Sequence, residues 1–236
     1  MPSEIDSSRF SRRTDLVWVA GNASGLGATF IAAYLNPHDG LFWAYATVIS
    51  RLLLYAWAGR AAWGGIFREL LSMGLVAGVL ELLADYFLVH WTRSGQLVYP
   101  TPDTVLLASP LYMPFAWACV VVEFGYLLLR LAGALRRAWL AGIVGGATAG
   151  AAIGVYEFFA FRAGWWYYQP AHAMLGATCA LYIPVGEFLM FSGFIYIFRH
   201  SAAEPDWLRR ALLRGTLFGI AIFAAYAVAY AALELR

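Results

Sequence analysis

Five carboxylates stand inside stretches of apolar sequence: Glu81, Asp85, Glu123, Glu157 and Glu187. A charge turned toward lipid costs about 2.5–3.5 kcal/mol even on insertion scales, so these side chains are expected to face an interior. Glu81 and Asp85 are four residues apart and share one helix face. Two carboxyl groups that close, away from water, do not both ionise comfortably, which leaves an acid with a proton to give. The chemistry on offer is proton transfer in a dry site. The plainer reading keeps the same groups as hydrogen-bond partners of Arg51, of tyrosine and serine hydroxyls, or of carbonyls freed by proline.

The elements that carry these residues are membrane spans. The 236 residues are 62% hydrophobic and 13% charged, with a mean hydropathy of +0.66, and a soluble domain of this size needs a more charged exterior. Runs of about 20 apolar residues define seven candidate spans at 15–35, 41–59, 67–91, 105–131, 138–163, 174–198 and 211–234, joined by short loops. The fold expected is all-α and integral to the membrane, about seven transmembrane helices in one bundle (15–236) behind an N-terminal tail (1–14). That tail is polar and basic (Arg9, Arg12, Arg13) and is not expected to be a cleaved leader.

A net charge of +2 without a basic stripe argues against a nucleic-acid partner. All 16 Lys+Arg residues are arginine, so no lysine is present to form a retinal Schiff base. Cys119 and Cys179 lie within apolar segments and read as packing residues. His90 and His172 are isolated, which disfavours a di-iron centre. Arginines gather before span 1 and between spans 2–3, 4–5 and 6–7, so the positive-inside rule sets the N-terminus in the cytoplasm and the C-terminus, near Arg236, outside. Span 1 carries Gly21, Gly25 and Gly27, and span 5 carries Gly145–Gly154 with its small residues, which let helices approach closely or leave thin cavity walls. Asn22 and Ser24 are candidates to face such a cavity. Glu69, Glu234, Glu4 and Asp6 are expected to be solvated.

Spans 3–4 and 5–6 read as two copies of one unit, about 67–133 and 138–200. Leu111-Tyr112-Met113-Pro114 matches Leu181-Tyr182-Ile183-Pro184, and Glu81 is matched to Glu157, which makes the first loop about six residues longer. Both copies run in the same direction. Each proline is expected to free a carbonyl early in its helix.

The stretch from Glu157 to Phe191 resembles the integral-membrane lycopene cyclase domain family, whose two related halves carry an aromatic GxWxYxP stretch, a later glycine and a P-x-E-E motif. Gly164, Trp166, Tyr168 and Pro170 match the first part, Gly176 the glycine, and Pro184-Val185-Gly186-Glu187-Phe188 the last. Gly186 replaces the first paired acid, and the other copy, Pro114-Phe115-Ala116-Trp117, has neither. Related membrane carotenoid hydratases are similar in size. The resemblance implies a membrane isoprenoid (carotenoid or other terpenoid) cyclase that protonates an alkene and needs no metal or organic cofactor. Glu187 would give the proton, Glu157, Glu81 or Asp85 would take up the final one, and the faces of Trp117, Trp166, Tyr112 and Tyr182 would stabilise the cation, with Tyr168 and Glu123 also lining the substrate. It implies a bacterial inner membrane as the location. A hydratase, a proton-coupled transporter or lipid-binding protein, and a non-catalytic subunit are the alternatives; the oligomeric state is open.

Overall fold

The computed structural model describes residues 9–101, 103–200, 202 and 204–235. Glu4, Asp6 and Arg236, and the tail up to residue 8, lie outside the described residues. The chain forms α1 (Arg12–Phe30), α2 (Gly40–Arg60), α3 (Gly65–His90), α4 (Met113–Leu135), α5 (Ala138–Arg162), α6 (Tyr182–His200) and α7 (Trp207–Glu234). A wider π-type turn, Ile31–Leu35, prolongs α1. Among the described residues, six of these helices are long and apolar enough to cross a membrane. The other, α6, has 19 residues and carries Glu187, Arg199 and His200, and it buries Phe191, Phe194 and Ile195 inside the bundle. Large apolar side chains cover the outside, among them Leu16, Leu53, Val79, Val155 and Ile220. Such a surface is stable against lipid rather than water. The protein is an all-α integral membrane bundle.

Short strands close one end. β1 (Leu97–Val98) pairs antiparallel with β4 (Tyr167–Tyr168), while β2 (Val105–Leu106) with β3 (Ser109–Pro110) and β5 (Met174–Leu175) with β6 (Cys179–Ala180) form two hairpins. These hairpins occupy 105–110 and 174–180, so the fourth and sixth helices start later than their apolar runs suggest. Pro114 and Pro184 consequently sit in the first turn of α4 and α6, where the amide has no helical partner to lose. The expected freed carbonyl is thus not produced.

Helix packing displays the duplication. A Cβ on Gly78 would come 2.1 Å from the carbonyl oxygen of Pro114, and one on Gly150 would come 2.6 Å from that of Pro184. Gly74 meets Ala118 in the same way that Gly146 meets Phe188. Gly74 and Gly146 are 72 positions apart, as are Gly78 and Gly150, whereas Pro114 and Pro184 are 70 apart. The first copy's loop is therefore two residues longer rather than six. The same offset of 72 pairs Asp85 with Glu157 and leaves Glu81 opposite Ile153, correcting the match of Glu81 to Glu157.

Polar locks hold the two ends. At the arginine-rich end Glu69 receives Arg9 and Arg214 at 2.8 and 2.7 Å, tying the chain before α1 to α3 and α7. At the hairpin end the Glu234 carboxylate accepts from Ser94 Oγ and the His172 and Ala173 amides, and is 3% exposed. Neither carboxylate is simply solvated, because each closes a helix end onto a neighbouring segment.

Candidate active site

All five membrane carboxylates line one cavity of about 340 Å³. Its acidic part is built by α3, α5 and α6 near the hairpin end. Asp85 Oδ2 accepts from the Tyr99 hydroxyl and, at 2.7 Å, from Ser109 Oγ. Glu157 Oε2 accepts from Trp166 Nε1 at 2.6 Å, and its Oε1 from Tyr168 Oη at 3.5 Å. Hydrogen-bond donors aimed at one carboxyl group suit its ionised, acceptor-only form. Burial first, and the adjacent Asp85 carboxylate second, push the Tyr99 phenol well above its usual range, and burial and Glu157 do the same to Tyr168. Both phenols remain O–H donors across the neutral range.

Glu81 and Glu187 differ. Glu187 Oε1 accepts from Tyr226 Oη at 2.6 Å, but Oε2 has no partner among the described residues. Glu81 is completely buried beside Asp85 and Trp117, with neither oxygen in a well-formed hydrogen bond among the described residues. A buried carboxyl oxygen without a donor is costly as an anion, so these two are the natural places for a proton. Symmetry sorts the four acids in the same way. Asp85 and Glu157 are equivalent between the copies, whereas Glu81 faces Ile153 and Glu187 faces Trp117 in the repeat register.

The local sequence explains how these groups are held. Gly164 adopts φ +67° just after α5, a left-handed conformation that favours glycine, and the turned chain brings Trp166 and Tyr168 back onto Glu157. The GxWxYxP stretch thus works as a clasp on one carboxylate. Trp165, beside it, donates to the Gly40 carbonyl at 2.6 Å and fixes the start of α2. Gly176, with φ +65°, turns the β5–β6 hairpin that leads into α6.

A second polar region lies deeper. Arg51 Nη1 donates to both oxygens of Glu123 at 2.9 and 3.2 Å, Tyr55 Oη donates to Glu123 at 3.1 Å, and Arg51 Nε donates to the Thr47 carbonyl at 3.1 Å. The expected counter-ion of Arg51 is therefore Glu123. Two span 1 glycines make room for this group: a Cβ on Gly21 would fall 2.0 Å from Tyr55 Oη, and one on Gly25 would fall 3.2 Å from Arg51 Nη1.

Of the candidates read from sequence, Glu187, Glu157, Glu81, Asp85, Trp117, Trp166, Tyr168 and Glu123 line the cavity, and Asn22 joins them. Tyr112 and Tyr182 do not. Tyr112 packs edge-on against Tyr45, and Tyr182 donates to the Gly95 carbonyl, because both stand at helix starts facing the loops. Ser24 is exposed and bonds the Gly21 carbonyl. Tyr99, Tyr156 and Tyr226 line the cavity without having been singled out. The Tyr226–Tyr230 pair in α7, one helical turn apart, was a signal for one of them. The walls also include Leu26 of α1 and Thr148, Ala152 and Val155 of α5, which are exposed on the outer surface. The cavity thus reaches the lipid-facing side between α1 and α5.

Fold and site together define an integral membrane protein with an acid-lined interior cavity. The chain belongs to the family described as a domain of unknown function (DUF6989), whose model matches residues 82–233. No curated protein and no solved structure is significantly similar to it.

Proposed function

We propose that this chain is a membrane isoprenoid cyclase, working on a carotenoid or another terpenoid, of the kind that the resemblance to the lycopene cyclase domain family implies. The observation that carries the reading is the convergence of Glu81, Asp85, Glu157 and Glu187 with Trp117, Trp166 and Tyr226 on one cavity open to lipid. A hydrophobic polyene enters from the bilayer between α1 and α5. Glu187 gives its proton to an alkene: the O–H bond breaks, a C–H bond forms, and the cation is left on the more substituted carbon. A second alkene attacks the cation through its π pair, forming a C–C bond and moving the charge onward. Asp85 or Glu157, each already held by donors, then removes a proton beside the final cation and restores a double bond. Mass is conserved. The rings of Trp117, Trp166 and Tyr226 stabilise the cation while the apolar walls exclude water. The protein sits in a bacterial inner membrane with its arginine-rich end in the cytoplasm.

The test is turnover in membranes containing the full chain, supplied with a panel of isoprenoids and read by mass spectrometry. Glu187→Gln keeps the shape and removes the proton, and is expected to lower the rate by about 10²–10⁴-fold. Unchanged turnover in that variant would overturn the assignment. A product heavier by one water would replace cyclisation with hydration at the same cation.

A further inference from the structure

The cavity has two poles of different chemistry. In the repeat register Trp117 occupies the place of Glu187, and Glu123 lies six residues further along α4, roughly 9 Å deeper at ~1.5 Å per residue. At that depth Arg51, Glu123 and Asn22 line the same space as the acids. Replacing a buried ion pair by apolar residues of equal volume is often neutral or stabilising, so stability gives little reason to bury this one in a membrane. Its location on the cavity wall gives a reason in recognition.

We propose that this pole is a subsite for a neutral oxygen function, a hydroxyl in particular, on the isoprenoid; this rests on the cyclase reading and names its substrate class as an oxygenated isoprenoid rather than a pure hydrocarbon. Arg51 directs Nε to the Thr47 carbonyl and Nη1 to Glu123, and its Nη2 has no partner among the described residues. Asn22 donates Nδ2 to the Trp18 carbonyl at 2.9 Å, and its Oδ1 likewise has no partner among the described residues. On the wall of one cavity, one side chain thus offers a donor and the other an acceptor, and a hydroxyl can serve either. The guanidinium charge is already matched by Glu123, so a phosphate or carboxylate would bring a second anion against that carboxylate. Gly25 keeps the space open, since a Cβ there would press on the guanidinium at 3.2 Å. Held at this pole, the isoprenoid extends its alkenes toward Glu187.

Binding to the full chain in nanodiscs tests the subsite, read by the change in intrinsic tryptophan fluorescence, to which Trp18, Trp117 and Trp166 contribute from the cavity wall. The probes are farnesol, the hydrocarbon with a methyl group in place of its CH2OH, and farnesyl diphosphate. Farnesol is expected to bind about tenfold or more tighter than the hydrocarbon, the size of one buried hydrogen-bonded group. Asn22→Leu and the double variant Arg51→Met/Glu123→Leu are expected to cut that preference to about twofold or less while keeping hydrocarbon binding. Equal affinity for alcohol and hydrocarbon in the wild type overturns the subsite, and so does tightest binding of the diphosphate. The cyclase reading fails separately: if farnesol binds with this preference but no isoprenoid is ever turned over, the subsite stands and the cyclase falls. If a hydrocarbon is cyclised as well as its alcohol, the reverse holds.

Discussion

Removing one member of the Arg51–Glu123 pair should cost far more than removing both. The charges meet at 2.9 Å with side chains 8% and 11% exposed, so at an effective dielectric of 20 their gross attraction is about 6 kcal/mol. Desolvation offsets much of it, and the quantity that remains measurable is the penalty for stranding one ion. Arg51→Met leaves Glu123 with only the Tyr55 hydroxyl, and Glu123→Leu leaves the guanidinium with only the Thr47 carbonyl. Each single variant should lose about 3–5 kcal/mol. The double variant strands no charge, only the Tyr55 hydroxyl, since the Thr47 carbonyl keeps its helical bond within α2, and should lose about 1–3 kcal/mol. The assay is reversible unfolding of the detergent-solubilised chain for the wild type and all three variants. A double-mutant cycle should return a coupling of at least about 3 kcal/mol. Additive losses, with a coupling under about 0.5 kcal/mol, would refute the buried pair.

Other outcomes follow from the packing and the site. Gly78→Ala and Gly150→Ala must push against the Pro114 and Pro184 carbonyls and should each destabilise the bundle by about 1–3 kcal/mol in the same unfolding assay. Gly27→Ala, whose added methyl meets nothing within 4 Å, should instead be neutral or stabilise by about 0.5–1 kcal/mol. Glu234→Gln leaves one acceptor oxygen where the His172 amide uses Oε2 and the Ala173 amide uses Oε1, so one loop amide faces an NH2 group, and amide hydrogen exchange at His172 and Ala173 should speed up while the bundle interior stays protected. In D2O the product should carry one solvent deuteron from the acid; Glu187→Gln should cut the amount of that labelled product by about 10²–10⁴-fold, whereas Glu157→Gln should keep the label in each product molecule and lower the amount formed. Mass analysis of the product reads both.

The seven helices were legible from apolar length alone, because a span in lipid must satisfy its backbone internally and cannot hide its hydropathy. The starts of α4 and α6 were not. The runs 105–111 and 174–181 are as apolar as a helix, and only their hairpin pairing separates them, which short apolar runs do not reveal. The acids were legible as inward-facing for the same energetic reason. Their partners were not, since Tyr99, Ser109 and Tyr226 reach them across 14, 24 and 39 residues. Matching like residue to like residue paired Glu81 with Glu157. The glycine–proline contacts pair Asp85 with Glu157 instead, because the register between packed helices is set by where backbones can touch rather than by side-chain identity.

That register changes what the duplication explains. A two-copy bundle with identical halves would present the same groups on both sides of its cavity and offer no sense of direction to a substrate. Here the equivalent positions, Asp85 and Glu157, carry carboxylates held by hydrogen-bond donors from their own loops. The positions that differ, Glu81 against Ile153 and Glu187 against Trp117, carry the carboxyl oxygens without a well-formed hydrogen bond among the described residues, both of Glu81 and Oε2 of Glu187. The carboxylates clasped by loop donors are thus repeated between the copies, and the other two are not. Trp117, in the place of the missing acid, sets an aromatic ring 6.4 Å from that of Tyr226, which bonds Glu187. Loss of symmetry between the copies thus puts a carboxyl group at one of two equivalent helix positions and an aromatic ring at the other, both within reach of Tyr226.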